Sequence, residues 1–161
     1  MTDLKIRRID KTDLDTLAEI YTKVYSSDVF DVGERWTKRT AYELLFYWLK
    51  RNSELAFLVE DEKKIIAAFF IDVKPWWDGN HLVDGELFVL PEYQKKGIGS
   101  KLMKHMLDYA VNMHNVVKCD TYTVKGKYPL KWYESLGFTE IKEWSMISVD
   151  IKEIMGNLEG K

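Results

Sequence analysis

The pattern of apolar residues predicts an α/β (α+β) fold: one mixed, mostly antiparallel central sheet of about seven strands flanked by about four helices. Three observations carry this prediction. Apolar residues recur at helical spacing up to Lys50, then give way to β-rich runs from Leu55. A strand-like run, Glu86 to Leu90, stops at Pro91 and passes through Gly97 and Gly99 into the longest amphipathic stretch. The chain has 161 residues, 46% of them hydrophobic and 31% charged. That suits a single domain over 1–161, with a core over residues 4–151 and a short solvated C-terminal tail.

Taken in order, Leu4 to Ile9 alternates imperfectly and suits a first strand. Thr12 is a hydroxyl N-cap, and Leu14, Leu17, Tyr21, Val24 and Tyr25 follow at helical spacing. Ser26 to Arg35 is a polar, acid-containing loop. Thr40 to Lys50 is a second helix that should bury Leu44, Leu45, Trp48 and Leu49. Leu55–Glu60 and Ile65–Val73 form a hairpin across Asp61–Lys64. Lys74 to Asn80 is a connector holding two tryptophans, and Glu86 to Leu90 is the next strand. Gly97 to Met113 is the longest helix, Val116 to Val124 a strand, and Pro129 to Leu136 a short helix closed by Gly137. Phe138–Lys142 and Trp144–Ile151 form a closing strand pair.

Composition excludes several classes of function. With 24 basic and 26 acidic side chains the net charge is −2, which disfavours nucleic acid as a partner. The single cysteine, Cys119, permits neither an intrachain disulfide nor a multi-cysteine metal site, and three dispersed histidines add no metal site. The N-terminus has no apolar signal segment, and the longest apolar run falls far short of the roughly 20 residues that span a bilayer. A soluble, cytoplasmic protein without a membrane partner is expected, monomeric or homodimeric. Twenty-two aromatic residues, six of them Trp, are the unusual feature, since aromatics both stabilise cores and line pockets.

The chemistry concentrates in Leu87 to Ser100. A strand ends at Pro91, a turn follows, and glycines open a helix. The N–H groups of a helix N-terminus bind anions, glycines admit a phosphate to the backbone, and Lys95 and Lys96 add charge there. The dinucleotide fingerprint fails because position 102 is Leu102. A Walker loop fails because the order is Gly99-Ser100-Lys101.

Val89-x-Pro91-x-x-Gln94-x-x-Gly97-x-Gly99 resembles the acetyl-CoA-binding motif of the GNAT superfamily of N-acetyltransferases. Trp132-Tyr133-Glu134-Ser135-Leu136-Gly137-Phe138 resembles that family's second, aromatic-Tyr-x-x-x-Gly-Phe block, and the element order fits from Leu4 to Ile151. The resemblance implies transfer of an acetyl group from acetyl-CoA to a primary amine by direct attack in a ternary complex. The alternatives are transfer to a protein or peptide amine, and an acyl-CoA-binding module without catalysis. It further implies that Gln94, Lys95, Lys96, Gly97, Ile98, Gly99 and Ser100 hold the CoA diphosphate. Phe88 and Val89 would pair their backbone with the pantetheine arm, and Tyr133 would be the general acid. Gly126 and Pro129 depart from the family's Asn and Ala at those positions.

An alkyl ammonium of pKa about 10.4 cannot attack a carbonyl, so a base must take its proton. Glu86 and Asp84, just before the cofactor strand, are the candidate carboxylates, with His81 a further possibility in the same segment. In the family, the acceptor lies between the first two helices and the connector before the cofactor strand. Phe30, Trp36, Tyr47, Trp76 and Trp77 are the surplus aromatics there, interspersed with acids. That combination suits a small cationic amine, polyamine-like or aminoglycoside-like. No metal is expected.

Overall fold

A computed structural model of the chain describes residues 4–26 and 33–159. Its described strands are β1 (Lys5–Arg8), β2 (Ala56–Asp61), β3 (Lys64–Trp76), β4 (Gly79–Val89) and β5 (Val116–Asp120). The described helices are α1 (Leu14–Tyr25), α2 (Lys38–Arg51), α3 (Ile98–His114), α4 (Tyr128–Ser135) and α5 (Ile151–Glu159). The five strands lie in sequence order in one sheet; only the β4–β5 pairing is parallel, the rest antiparallel.

Local chemistry sets the helix starts. Asp10, not Thr12, caps the turn that leads into α1, its carboxylate accepting from the Thr12 N–H at 2.7 Å. Thr37 and Thr40 form a reciprocal capping box that starts α2. Helix α2 buries Ala41, Leu45 and Trp48, while Leu44 and Leu49 are half-buried. The α1–α2 side of the sheet receives Phe88 and Glu86, whose contacts run to Tyr21 at ring and hydroxyl distance. The opposite side receives Phe57, which packs edge-on against His105 and Tyr109 of α3. Tyr21, Phe70 and Phe88 are fully buried; aromatics of this size stabilise by about 1.5–3 kcal/mol each.

Two features of β4 position the site. The β3–β4 pairing runs from Trp76↔Gly79 to Ala67↔Val89, so the expected connector Lys74–Asn80 is a tight hairpin between two long strands. The β4–β5 pairing ends at Val83↔Asp120. Beyond it the two parallel strands part, and β4 from Asp84 to Val89 presents an unpaired edge. A bulge sits at the parting, where the register shifts between Phe70 and Asp72. Asp84 and Gly85 there have φ of 56° and 97°, and a Cβ on Gly85 would meet the Phe70 carbonyl oxygen at 2.3 Å. Only glycine fits.

The closing strand pair over Phe138–Lys142 and Trp144–Ile151 is not found: residues 138–150 form no strand among those described. Trp144, Met146 and Ile147 stand exposed instead. The expected tail is helix α5, begun by Asp150, whose carboxylate accepts from the Lys152 N–H at 2.8 Å. A β-prone segment needs a ladder partner, and none among the described residues takes it up. The sheet therefore has five described strands where seven were expected, on the same α/β plan.

Candidate active site

A cavity of about 670 Å³ opens where β4 and β5 part. Its floor is β4 from Gly85 to Val89. One end is the turn before α3, with Tyr93, Gln94, Lys95, Gly97, Gly99 and Ser100; the other is walled by Tyr21, Tyr25, Glu34, Trp36 and Leu44. Thr121 to Val124, Tyr128, Tyr133 and Met146 close the side opposite β4.

The cradle end is built from backbone. Gly97 is the N-cap of α3 at φ 79°, with no heavy atom within 4 Å of where a Cβ would stand. No side chain caps this helix, in contrast to α2, and its first ladder bond is Lys101 N–H to the Gly97 carbonyl at 2.9 Å. The N–H groups of Ile98, Gly99 and Ser100 thus lie ahead of the ladder at the positive end of a 17-residue helix. Gln94 turns its amide back to donate to the Val89 carbonyl at 2.9 Å, tying the turn to the strand end. Lys95 lies over the Tyr128 ring at 5.1 Å, and Lys96 and Lys64 lie over Tyr93 at 5.4 and 5.1 Å. A free strand edge, open space beside Gly97 and an uncapped helix start are what an extended arm ending in a diphosphate requires; the residues fit CoA. Of the seven cradle residues expected, Lys96 and Ile98 do not line the cavity. Ile98 is buried beneath the helix, where it anchors the first turn.

The opposite end, where the acceptor was expected, is built from side chains. Glu86 extends from the floor into the aromatic cluster of α1, where its Oε2 accepts from the Tyr21 and Tyr25 hydroxyls at 3.1 and 2.9 Å. Removal from water pushes its carboxyl up to about 7. The two phenols pull it down, and the charge of Glu34 pushes it up further. The Trp36 indole donates to Glu34 at 2.5 Å and stands edge-on to Tyr21, ring centres 5.2 Å apart. Tyr133 faces the cavity from α4, between Trp132 and Phe138 at 4.9 and 5.1 Å. Burial pushes its phenol up to about 12, aided by the neighbouring Cys119, while Thr121 opposes this. It stays protonated.

Several expected residues lie elsewhere. Asp84 is an exposed residue of the bulge and does not line this cavity, because the bulge resets the alternation just before Glu86. His81 is buried between Asp120 and Asp78, at 2.6 and 2.8 Å, where it clamps β4 to β5. Trp76 and Trp77 do not line the cavity, because the segment folds into the β3–β4 hairpin and carries them to its tip. Trp77 is 87% exposed there, and Lys74 covers Trp76 at 4.3 Å. Tyr47 points away from the cavity along α2, its hydroxyl accepting from Arg51 at 2.9 Å. Phe30 lies outside the described residues. Glu34, one of the acids expected among the acceptor aromatics, does line the cavity, as do Tyr25, expected only on the helical stripe of α1, and Tyr122, expected in the core but exposed. The i,i+4 spacing of Tyr21 and Tyr25 was the available signal for Tyr25.

Comparison with known proteins agrees with this geometry. Residues 14–138 match the model of the "Acetyltransferase (GNAT) family". The chain is 30% identical over 118 residues to an uncharacterized N-acetyltransferase of Archaeoglobus fulgidus, covering 71% of this chain and 78% of that one. It is 24% identical over 151 residues to the L-methionine sulfoximine/L-methionine sulfone acetyltransferase of Salmonella typhimurium, covering 91% and 86%. A solved structure of a predicted acetyltransferase with acetyl-CoA from Clostridium acetobutylicum shares the fold at TM-score 0.69 and 19% identity, over 91% of this chain and 96% of that one. The parted strands, the uncapped glycine cradle and the family match over most of its length agree: the chain belongs to the GNAT family of acetyltransferases and is an acyltransferase.

Proposed function

We propose that the chain moves an acetyl group from acetyl-CoA to a small cationic amine, polyamine-like or aminoglycoside-like, by direct attack in a ternary complex. The observation that carries this reading is Glu86: a carboxyl near neutrality, set between the free edge of β4 and an aromatic-walled acceptor end. A base of that pKa is half ionised at pH 7, strong enough to take a proton and weak enough to return it to solvent. The acceptor end supports a cation, since Glu34 and Glu86 lie among Tyr21, Tyr25, Trp36 and Tyr122. Lys95, the one cation among the described lining residues, belongs to the cradle and stacks on Tyr128. An amino-acid carboxylate would find no cationic partner at the acceptor end among these residues.

Acetyl-CoA, when bound, supplies an activated acetyl group on a thiol of pKa about 8.5, a tolerable leaving group. The cradle residues Gln94, Lys95, Gly97, Gly99 and Ser100 would hold its diphosphate, and the edge of Phe88 and Val89 its arm. Glu86 takes one proton from the bound ammonium and so frees its lone pair; as the nitrogen bonds to the acetyl carbon the carbon–sulfur bond breaks, and the second nitrogen proton passes to the departing thiolate or to solvent. Tyr133 is the donor to the departing sulfur; with its phenol near 12 it acts more by hydrogen bonding than by complete proton transfer. The test is a panel of polyamines, aminoglycosides, peptide amines and L-methionine sulfone, each with acetyl-CoA and free-thiol detection. Polyamines or aminoglycosides should turn over best. Turnover confined to L-methionine sulfone would overturn the acceptor reading, and CoA binding with no turnover on any amine would overturn catalysis.

A further inference from the structure

Both phenols that reach Glu86 end on the same oxygen. Tyr21 donates to Oε2 at 3.1 Å and Tyr25 at 2.9 Å, from successive turns of α1. Their rings are stacked, with centres 4.2 Å apart and planes at 24°. Tyr21 is further held edge-on by Trp36 at 5.2 Å and by Phe88 at 5.3 Å. These rings have little freedom, so the two hydroxyls are aimed before any substrate arrives. A carboxylate has about four lone-pair sites, two on each oxygen. Two donors on Oε2 load that oxygen, and among the described residues neither bond is shared with Oε1.

We propose that Tyr21 and Tyr25 are positioning residues that hold Oε2, stabilise the ionised form of Glu86, and leave Oε1 as the oxygen that takes the proton. This rests on the reading of Glu86 as the base. The balance is simple: the nitrogen–hydrogen bond of the amine breaks, an Oε1–H bond forms, and both phenols keep their protons while donating to Oε2. The proton then leaves to solvent. The other titratable groups that face Glu86 are Glu34 from the segment before α2, Tyr122 beyond β5, and Tyr133 of α4. Burial drives the phenols of Tyr21 and Tyr25 well above the usual tyrosine range, so they remain donors at every working pH.

The test uses the full chain labelled with ¹³C, following the Glu86 carboxyl resonance across pH and assigning it by its loss in Glu86→Gln. Tyr25→Phe and Tyr21→Phe keep the rings and remove one donor each. Each should raise the titration midpoint by about one pH unit, equivalent to a tenfold loss of ionised Glu86 on the acid side. A midpoint that stays put or falls in the folded variants overturns the proposal. Where a variant does not fold, the unmutated chain carrying 3-fluorotyrosine serves. The ¹⁹F resonances of rings 21 and 25 should move with the carboxyl midpoint, and resonances that ignore it overturn the proposal equally. Full turnover in Glu86→Gln would sink the base reading while leaving the hydrogen-bond result intact. An inactive Glu86→Gln with unmoved midpoints would sink this proposal alone.

Discussion

At one end of the cavity Gly97 sits at φ 79° before an uncapped helix, and what it offers a ligand is backbone N–H groups and empty space. At the other end Glu86 is held by two phenols and shadowed by Glu34 and Trp36, and everything offered is side chain. The cradle comes from one continuous stretch, Val89 to Ser100. The acceptor end gathers residues from α1, the segment before α2, β4 and the region beyond β5. A backbone site recognises what all donors of one class share. A side-chain site can change its ligand by one substitution, because no single element is responsible for it.

That contrast can be broken experimentally. The largest effect should come from Glu86→Gln, which removes the proposed base and leaves the proposed cradle: turnover falls by about 10²–10⁴ while CoA affinity, read by titration calorimetry, is unchanged. The same substitution should stabilise the fold at pH 8. The folded carboxyl titrates near 7 against about 4.5 unfolded, so the folded state binds more protons in that window and stability falls as pH rises through it. Replacing the group removes that cost, about 1–3 kcal/mol, measurable by urea denaturation at pH 5 and pH 8.

Next in size is Gly97→Asp. A non-glycine residue at φ 79° is strained by about 1–2 kcal/mol, and a carboxylate there repels a diphosphate. CoA affinity should fall by about ten- to a hundredfold. The fold should persist, because a Cβ at Gly97 meets nothing within 4 Å; unaltered affinity would remove the cradle assignment. Smaller again is the pH response. Turnover should rise about tenfold between pH 6 and pH 8, with its acid midpoint near 7, as Glu86 loses its proton. The smallest effect is expected from Trp77→Ala at the hairpin tip, within about twofold of the unmodified enzyme and without loss of stability, since the side chain is exposed. A large rise in KM for the acceptor would bring the hairpin back into the site.

Legibility in the sequence followed the same division. The turn that opens α3 was readable because its geometry depends on spacing along the chain: Pro91 stops the strand, and Gln94, Gly97 and Gly99 follow at intervals that the backbone itself uses. Glu86 was readable because it lies on that strand, three residues before Val89. Tyr21 read as core, and it is core by burial, yet its hydroxyl serves the site. Trp76 and Trp77 read as pocket wall because a connector was expected; two extra lengths of strand moved them to the hairpin tip. Helix α5 was missed for a local reason, the cap at Asp150. The closing strands were overread for a non-local one: alternation marks a β-prone segment but does not supply its partner.

The sequence by itself determined the α/β plan, the order of its elements as far as α4, the glycine turn that opens α3 and the family, because periodicity, capping residues and motif spacing are properties of neighbouring positions. The tertiary structure alone decided which aromatics wall the cavity, and that Glu86 rather than Asp84 enters it. It also decided that two phenols share one carboxylate oxygen. These depend on a bulge at Asp84 and Gly85, on where β4 leaves β5, and on how α1 lies across the sheet. Each is a relation between residues far apart in the chain, set by packing that no local pattern encodes.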